Sequence, residues 1–326
     1  MIASDRQENS EHRRPPYDGL LLVSFGGPEA RDDVLPFLRH VLRGRDVPES
    51  RLREVAEHYY HFDGKSPINE QNRRLIAALR DLFATSGPEL PVYWGNRNWH
   101  PFLADTIRAM RADGVSRSLG FVTSAFSSYS GCRQYLEDLE QARADVGAGA
   151  PQVDKIRAFG DHPGFIHAMS DRVSAALTST DRKSSGARQV IFTAHSIPLA
   201  MAQACAYERQ LRESCRLVAA RVQVEEWSLA FQSRSGPPSQ PWLEPDIGQA
   251  LTELARAQPG SSVVVAPIGF LSDHMEVLYD LDVEARALAE SLGLSWTRAE
   301  TVGTHSLFVE GIRQLVLERM EPHRAR

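Results

Sequence analysis

Short apolar runs alternate with amphipathic stretches along nearly the whole chain. The runs Gly19–Ser24, Pro91–Gly95, Ser118–Thr123 and Val153–Phe159 read as strands from their length and their apolar, often branched, residues. A second set follows at Gln189–Ala194, Trp227–Gln232, Ser262–Pro267 and Leu294–Ala299. Between the runs, apolar residues recur every three or four positions over Asn69–Phe83, Phe102–Arg111, Gln134–Arg143 and Ile166–Leu177. The same spacing returns over Glu208–Val222, Ile247–Ala257, Met275–Leu292 and Leu307–Met320, and it predicts helices with one buried face. Strands alternating with helices imply parallel sheets covered on both faces. The expected class is α/β, with two Rossmann-like domains, each a four-stranded parallel sheet flanked by helices.

The division falls near Gly160-Asp161-His162-Pro163, which gives domains over residues 17–160 and 161–303. Thr178–Gly186 is the most linker-like internal stretch, but it lies inside the second domain, directly before its first strand. Residues 1–16 are polar and charged, without the apolar core of a secretory signal, and read as a mobile tail. A chain of 326 residues, 42% of them hydrophobic, has enough apolar material for two cores. Its net charge of −5 opposes a nucleic-acid surface, which needs basic residues to neutralise phosphates. No apolar run approaches the roughly 20 residues of a membrane-spanning helix. Cys132, Cys205 and Cys215 are odd in number and widely spaced, as in reduced thiols, so a cytoplasmic location is expected, and the uniform charge leaves a monomer as the default.

Open α/β sheets bind ligands outside the carboxyl ends of their strands. Two segments deliver ionisable side chains there. Ile191-Phe192-Thr193-Ala194-His195-Ser196-Ile197-Pro198 sets His195 where its strand runs out. The run from Val263 through Gly269 to Ser272-Asp273-His274-Met275-Glu276 brings Glu276 to the start of a helix, where the macrodipole favours a carboxylate. The two should meet in one cleft. An imidazole opposite a carboxylate suits a divalent first-row cation such as ferrous iron. The alternative is a hydrogen-bonded structural histidine. Glu276, Asp280 and Glu284 follow at i, i+4 and i+8, on one face of a helix. That face is either a solvated acidic stripe or a carboxylate ladder that leads a hydrated cation to Glu276. Asp273 flanks the pair as a candidate for the metal or proton path, and His274 reads as a turn residue. No G-x-G-x-x-G follows a strand, which disfavours a dinucleotide enzyme. Gly26-Gly27-Pro28 predicts instead a tight turn where a flat ligand nears the backbone.

These segments resemble ferrochelatases, which insert Fe2+ into a porphyrin. The resemblance includes Leu22-Val23-Ser24-Phe25-Gly26-Gly27-Pro28-Glu29 and His58-Tyr59-Tyr60-His61-Phe62-Asp63-Gly64-Lys65-Ser66-Pro67-Ile68-Asn69. It continues through Gly95-Asn96-Arg97-Asn98-Trp99-His100-Pro101, Tyr129-Ser130-Gly131-Cys132-Arg133 and Gln232-Ser233-Arg234-Ser235-Gly236-Pro237-Pro238. These motifs stand in the family's order over roughly residues 18 to 320. Their wording is most similar to the actinobacterial branch, whose members act on coproporphyrin III rather than protoporphyrin IX.

The resemblance implies a chelatase-like fold whose last segment, residues 304–326, packs back as a helix on the first domain. It makes His195 and Glu276 the catalytic and metal-binding pair, which hold iron or take the two pyrrole protons. Asp273, Asp280 and Glu284 would line the metal or proton path. The porphyrin-binding wall would comprise Phe25 on the ring face, Arg43 and Arg45 beside the propionates, and Ser66 and Ser127 at the family's propionate-contact positions. Phe126 stands where some relatives carry a tyrosine hydroxyl. Phe25 also replaces a tyrosine of many coproporphyrin-using relatives, and phenylalanine cannot ligate iron. Arg97, Trp99 and His100 would join the wall, and Arg234 would brace the cleft. The plain alternatives are core packing for Phe25 and solvated surface cations for Arg43 and Arg45. Some family members carry a [2Fe–2S] cluster, largely on cysteines of a C-terminal extension. None is expected here, because an all-thiolate cluster needs four cysteines and this chain has three.

The expected reaction is insertion of Fe2+ into coproporphyrin III without a redox step. The product, coproheme, would serve haem biosynthesis and pass to coproheme decarboxylase. A protoporphyrin IX ferrochelatase and a cobalt chelatase acting on a corrin precursor are rivals among enzymes. A non-catalytic tetrapyrrole or metal carrier is the rival of another class, and it would need the walls but not the His195/Glu276 pair.

Overall fold

The computed structural model describes residues 16–44, 47–128, 133–180, 188–236 and 239–321. Arg45, Cys132 and the expected tail up to residue 15 lie outside the described residues. Strands β1 (Gly19–Ser24), β2 (Val92–Asn96), β3 (Arg117–Val122) and β4 (Gln152–Lys155) form a parallel sheet in the order β2-β1-β3-β4. Strands β5 (Arg188–His195), β6 (Trp227–Gln232), β7 (Ser262–Ala266) and β8 (Ser295–Arg298) form a second, ordered β6-β5-β7-β8. The second order repeats the first. In each sheet the chain steps from its first strand to one side and then crosses to the other. That reversal opens a crevice at the carboxyl end of the first strand. Phe25 follows β1, and His195 ends β5.

The helices are α1 (Val34–Val41), α2 (Glu49–Tyr60), α3 (Ile68–Ser86), α4 (Leu103–Ala112), α5 (Gln134–Val146) and α6 (Pro163–Ser179). The second half contributes α7 (Leu199–Gln203), α8 (Tyr207–Arg221), α9 (Ile247–Ala257), α10 (Met275–Val277), α11 (Arg286–Ser291) and α12 (Ser306–Met320). A π-helical segment, Leu278–Ala285, joins α10 to α11.

Strand side chains alternate between two buried faces, which is why the strands read as unbroken apolar runs. Leu20 and Leu22 of β1 enter the main core, while Leu21 and Val23 pack under α4 and α5 with Leu103, Ile107 and Leu139. In β7, Val264 and Ala266 enter the same main core, and Val263 and Val265 face α9 and the π segment with Leu251 and Leu281. The main core is thus continuous between the two sheets. Helix α12 packs on α6 and α3, with Phe308 against Phe121, Phe159 and Phe165. The α6–α12 crossing is close because Gly164 and Gly311 face each other. A Cβ on Gly164 would stand 2.7 Å from both Gly311 Cα and the Leu307 carbonyl.

Three elements differ from the sequence expectation. Strand β4 stops at Lys155 rather than Phe159, because the chain turns away to bury Ile156 and to stack Phe159 on Phe121. Helix α2 was not expected, and it packs with α1 in a small cluster of Val34, Phe37, Leu38, Leu52 and Ala56. The helix expected over Met275–Leu292 carries the π segment at its centre. No helix among the described residues is long and apolar enough to cross a membrane.

Candidate active site

His195 and Gln232 are neighbours in the second sheet, at the last paired positions of β5 and β6. The His195 Nδ1 bonds the Ser196 carbonyl, an acceptor only, so Nδ1 carries a proton and Nε2 is the ring nitrogen turned toward Glu276. The Tyr207 hydroxyl donates to the His195 carbonyl at 3.0 Å and fixes the backbone beneath the ring. Glu276 begins its helix opposite, and its Oε2 stands 3.7 Å from Nε2. Its backbone carbonyl accepts from Gln232 Nε2 at 3.0 Å, so β6 sets the height of α10 against β5. Both side chains remain partly open to solvent, His195 by 35% and Glu276 by 50%. An imidazole nitrogen and a carboxylate held face to face with solvent access form a seat for a proton or a cation. Among the described residues, no three His, Cys, Asp or Glu side chains converge as a resident metal site.

The π segment carries the acidic face onward. Asp280 is half-buried and accepts a hydrogen bond from the Ser233 hydroxyl, while Glu284 is exposed. Burial pushes the Asp280 carboxyl up to about 7, the charges of Glu276 and Glu284 add to the rise, and the Ser233 bond opposes it. Asp280 therefore titrates near neutrality between two carboxylates. Burial holds the His274 imidazole below its usual range, against the pull of Glu276, so it stays neutral.

Asp273 is placed differently from its neighbours. Arg298 Nη1 donates to its Oδ1 at 3.1 Å, and Arg298 Nε donates to Asp282 at 2.6 Å. An aspartate engaged by a largely buried guanidinium anchors its loop rather than offering a free carboxylate to the path.

The first half closes over this face through α2. The His58 ring stacks on Tyr279 of the π segment at 3.8 Å and 8°, and Tyr59 is raised by burial and then by the charges of Glu276 and Asp280. Tyr59 thus keeps its proton, within the field of both carboxylates. Its ring meets Phe37 edge-on at 5.8 Å, and Phe37 meets Phe25 at 6.2 Å. Phe25 is 36% exposed, one of three large apolar side chains left open among the described residues. A large aromatic left open at a crevice mouth suits a flat apolar ligand.

The other wall candidates divide. Arg43 is half exposed and donates to the His40 carbonyl at 2.9 Å and to Asn98 at 3.1 Å. Arg97 is buried under Phe25, paired with Asp138 and 4.4 Å over the Tyr135 ring. Trp99 packs edge-on to Phe37 at 6.1 Å. Ser66 is buried against Gly27, whose hypothetical Cβ would stand 2.8 Å from the Ser66 Cβ. The Gly26 turn, at φ 82°, is likewise crowded by Asn96. The protein's own side chains, rather than an approaching ligand, account for these two glycines. Ser127 is half-buried and bonds Gln210 through both its N–H, at 2.7 Å, and its hydroxyl. Phe126 is not on the cleft wall. It is 2% exposed, edge-on to Phe165 and Tyr207, and a Cβ on Gly160 would meet its ring at 2.4 Å. Arg234 donates to the Gln240 carbonyl at 3.0 Å. Of the cysteines, Cys205 is half-buried and Cys215 is in the core, where burial pushes its thiol up and away from thiolate chemistry.

Sequence reasoning misses Tyr59, Tyr279, Gln71 and Arg298 as parts of the site. Arg298 alone carries a usable signal, since it ends a strand, where such sheets build their sites.

Comparison with known proteins identifies the family. The ferrochelatase family model matches residues 17–320. A ferrochelatase of Rhodopirellula baltica is 60% identical over 306 residues, which cover 94% of this chain and 87% of that one. A coproporphyrin III ferrochelatase of Frankia alni is 54% identical over 320 residues, covering 94% of this chain and 80% of that one. Among solved structures, the sirohydrochlorin chelatase SirB of Bacillus subtilis subspecies spizizenii, in complex with cobalt, aligns with a TM-score of 0.54 at 12% identity, over 93% of this chain and 95% of that one. CbiX, the terminal enzyme of sirohaem biosynthesis in denitrifying bacteria, aligns with a TM-score of 0.54 at 13% identity, over 93% and 100%. Those two share the fold. The family match, by contrast, runs through both sheets and both sides of the cleft, and the chain belongs to the ferrochelatase family.

Proposed function

We propose that this protein inserts Fe2+ into coproporphyrin III and yields ferrous coproheme. The observation that carries the reading is His195 Nε2 facing Glu276 Oε2 across 3.7 Å, with the ring oriented by its Nδ1 bond to the Ser196 carbonyl. Insertion exchanges two pyrrole protons for one dication, so the site needs groups that receive both. Neutral His195 can accept a proton, and the Ser196 carbonyl then stabilises the imidazolium through Nδ1–H. Glu276 takes the second proton, while the doubly deprotonated macrocycle balances the charge of iron. Asp280, titrating near 7, can pass a proton or a hydrated cation along the Glu284–Asp280–Glu276 face without a large free-energy step. Iron here is substrate, and no redox change is required.

The macrocycle lies between the halves, 17–160 and 161–303, against Phe25, with Arg43 at the rim, 48% exposed and 3.6 Å from Asp138, as the cation that would exchange that carboxylate for a propionate. Coproporphyrin carries four propionates and protoporphyrin two. The Frankia alni relative and one of Streptomyces coelicolor, 50% identical over 322 residues, are named for coproporphyrin III, which supports that choice. We place the reaction in the cytoplasm, in a monomer that passes coproheme to a decarboxylase, with no [2Fe–2S] cluster taking part. Anaerobic insertion assays on both porphyrins, side by side, test the reading. Turnover on coproporphyrin III with little on protoporphyrin IX is the expected result. Preference for protoporphyrin would overturn the substrate, and tight porphyrin binding without insertion would make the protein a carrier.

A further inference from the structure

Arg298 ends β8, beside Val265 of β7, and its side chain is 15% exposed. One guanidinium reaches Asp273 at 3.1 Å and Asp282 at 2.6 Å. These aspartates bracket Glu276 and Asp280, since Asp273 precedes the first and Asp282 follows the second. A planar fork presents its donors to the two carboxylates in fixed directions, which lysine's rotating ammonium does not reproduce.

The clamp also connects to the opposite wall. The Asp273 backbone N–H donates to Gln71 Oε1 of α3 at 2.9 Å. Two residues earlier on α3, Asn69 donates to the Gly27 carbonyl at 3.2 Å, at the turn that follows Phe25. A short chain of polar contacts therefore runs from the metal-side segment to the ring-side turn. The π segment itself is an uncommon conformation that its surroundings must hold. Its tethers include the Ser233 bond to Asp280 and the Arg298 bond to Asp282.

The geometry points to Arg298 as a positioning residue for iron insertion. It sets where Glu276 and Asp280 stand relative to His195, and touches neither iron nor porphyrin. The inference rests on the reading of His195 and Glu276 as the iron-handling pair. Its consequence is selective. Without the clamp, α10 and the π segment lose their register, and iron is received less well. The wall at Phe25 is unchanged, so porphyrin binding is kept.

Three variants test it: Arg298→Met, Arg298→Lys, and Arg298→Met combined with Asp273→Asn and Asp282→Asn. The measurements are anaerobic Fe2+ insertion into coproporphyrin III, porphyrin affinity by fluorescence quenching, and urea unfolding. For Arg298→Met, the KM for Fe2+ rises at least tenfold while the porphyrin Kd stays within twofold. Arg298→Lys falls between that variant and wild type. The triple variant strands no carboxylate, so its stability returns toward wild type while its KM for Fe2+ stays raised, because the clamp is still absent. Should Arg298→Met fail to fold, the triple variant decides the matter. An Arg298→Met protein with wild-type iron kinetics overturns the proposal alone, and so does a triple variant that regains them, since Arg298 would then only neutralise charge. A wild type that binds porphyrin but inserts no iron overturns the function reading, and this proposal with it.

Discussion

Asp280→Asn isolates the cost of the acidic face. The Asp280 carboxyl rises from the ordinary 3.8 to about 7 through burial, with the Glu276 and Glu284 charges adding to it. At about 1.36 kcal/mol for each tenfold change in proton affinity, a rise of that size sets a ceiling of roughly 4 kcal/mol. Asp280 keeps some solvent contact, so screening lowers the expected effect to about 1–3 kcal/mol. The sign follows from proton counting. Between about pH 4 and pH 7 the folded protein holds a proton on Asp280 that the unfolded chain has lost. Stability attributable to this group therefore falls as pH rises through that window, and is level above it. Asparagine keeps an acceptor for Ser233 but carries no charge. The variant should unfold close to wild type near pH 4 and gain on it up to pH 7, ending about 1–3 kcal/mol more stable at pH 8. Urea unfolding of metal-free protein at half-unit pH steps measures the gap. A gap that does not change with pH, or that closes as pH rises, refutes the reasoning. The same variant should insert iron more slowly, since the strained carboxylate serves function at the expense of stability.

His195→Ala should lower the insertion rate by about 10²–10⁴-fold, the usual range for a lost acid–base group, with porphyrin binding by fluorescence little changed. Near-normal insertion in a folded variant would remove His195 from the mechanism. Gly164→Ala forces a methyl into the Gly311 backbone at the α6–α12 crossing, so it should cost about 1–3 kcal/mol in urea unfolding, as overpacking does. An unchanged midpoint would mean that the two helices separate without penalty.

The sequence by itself determined the two sheets and the candidate positions for chemistry along the chain. Strands buried on both faces must be apolar throughout, so β1, β5, β6 and β7 are visible as runs, and a histidine at the end of such a run is visible as a site. The i, i+4, i+8 spacing of Glu276, Asp280 and Glu284 is local, and it survives even though the turn widens to a π-helix. Helix α2 was legible in principle, since Leu52, Val55, Ala56, Tyr59 and Tyr60 keep a helical period, but its polar majority masks it. Tertiary structure alone decided the rest. Asp273 becomes an anchor because Arg298 arrives from another strand, and Phe126 becomes core because Gly160, Phe165 and Tyr207 surround it. Asp280 titrates near 7 because the fold buries it beside the Glu276 and Glu284 carboxylates, against the opposing bond from Ser233. Periodicity records which face of an element is buried, but the charge state and partners of a side chain depend on atoms distant in sequence, and those are fixed only when the chain folds.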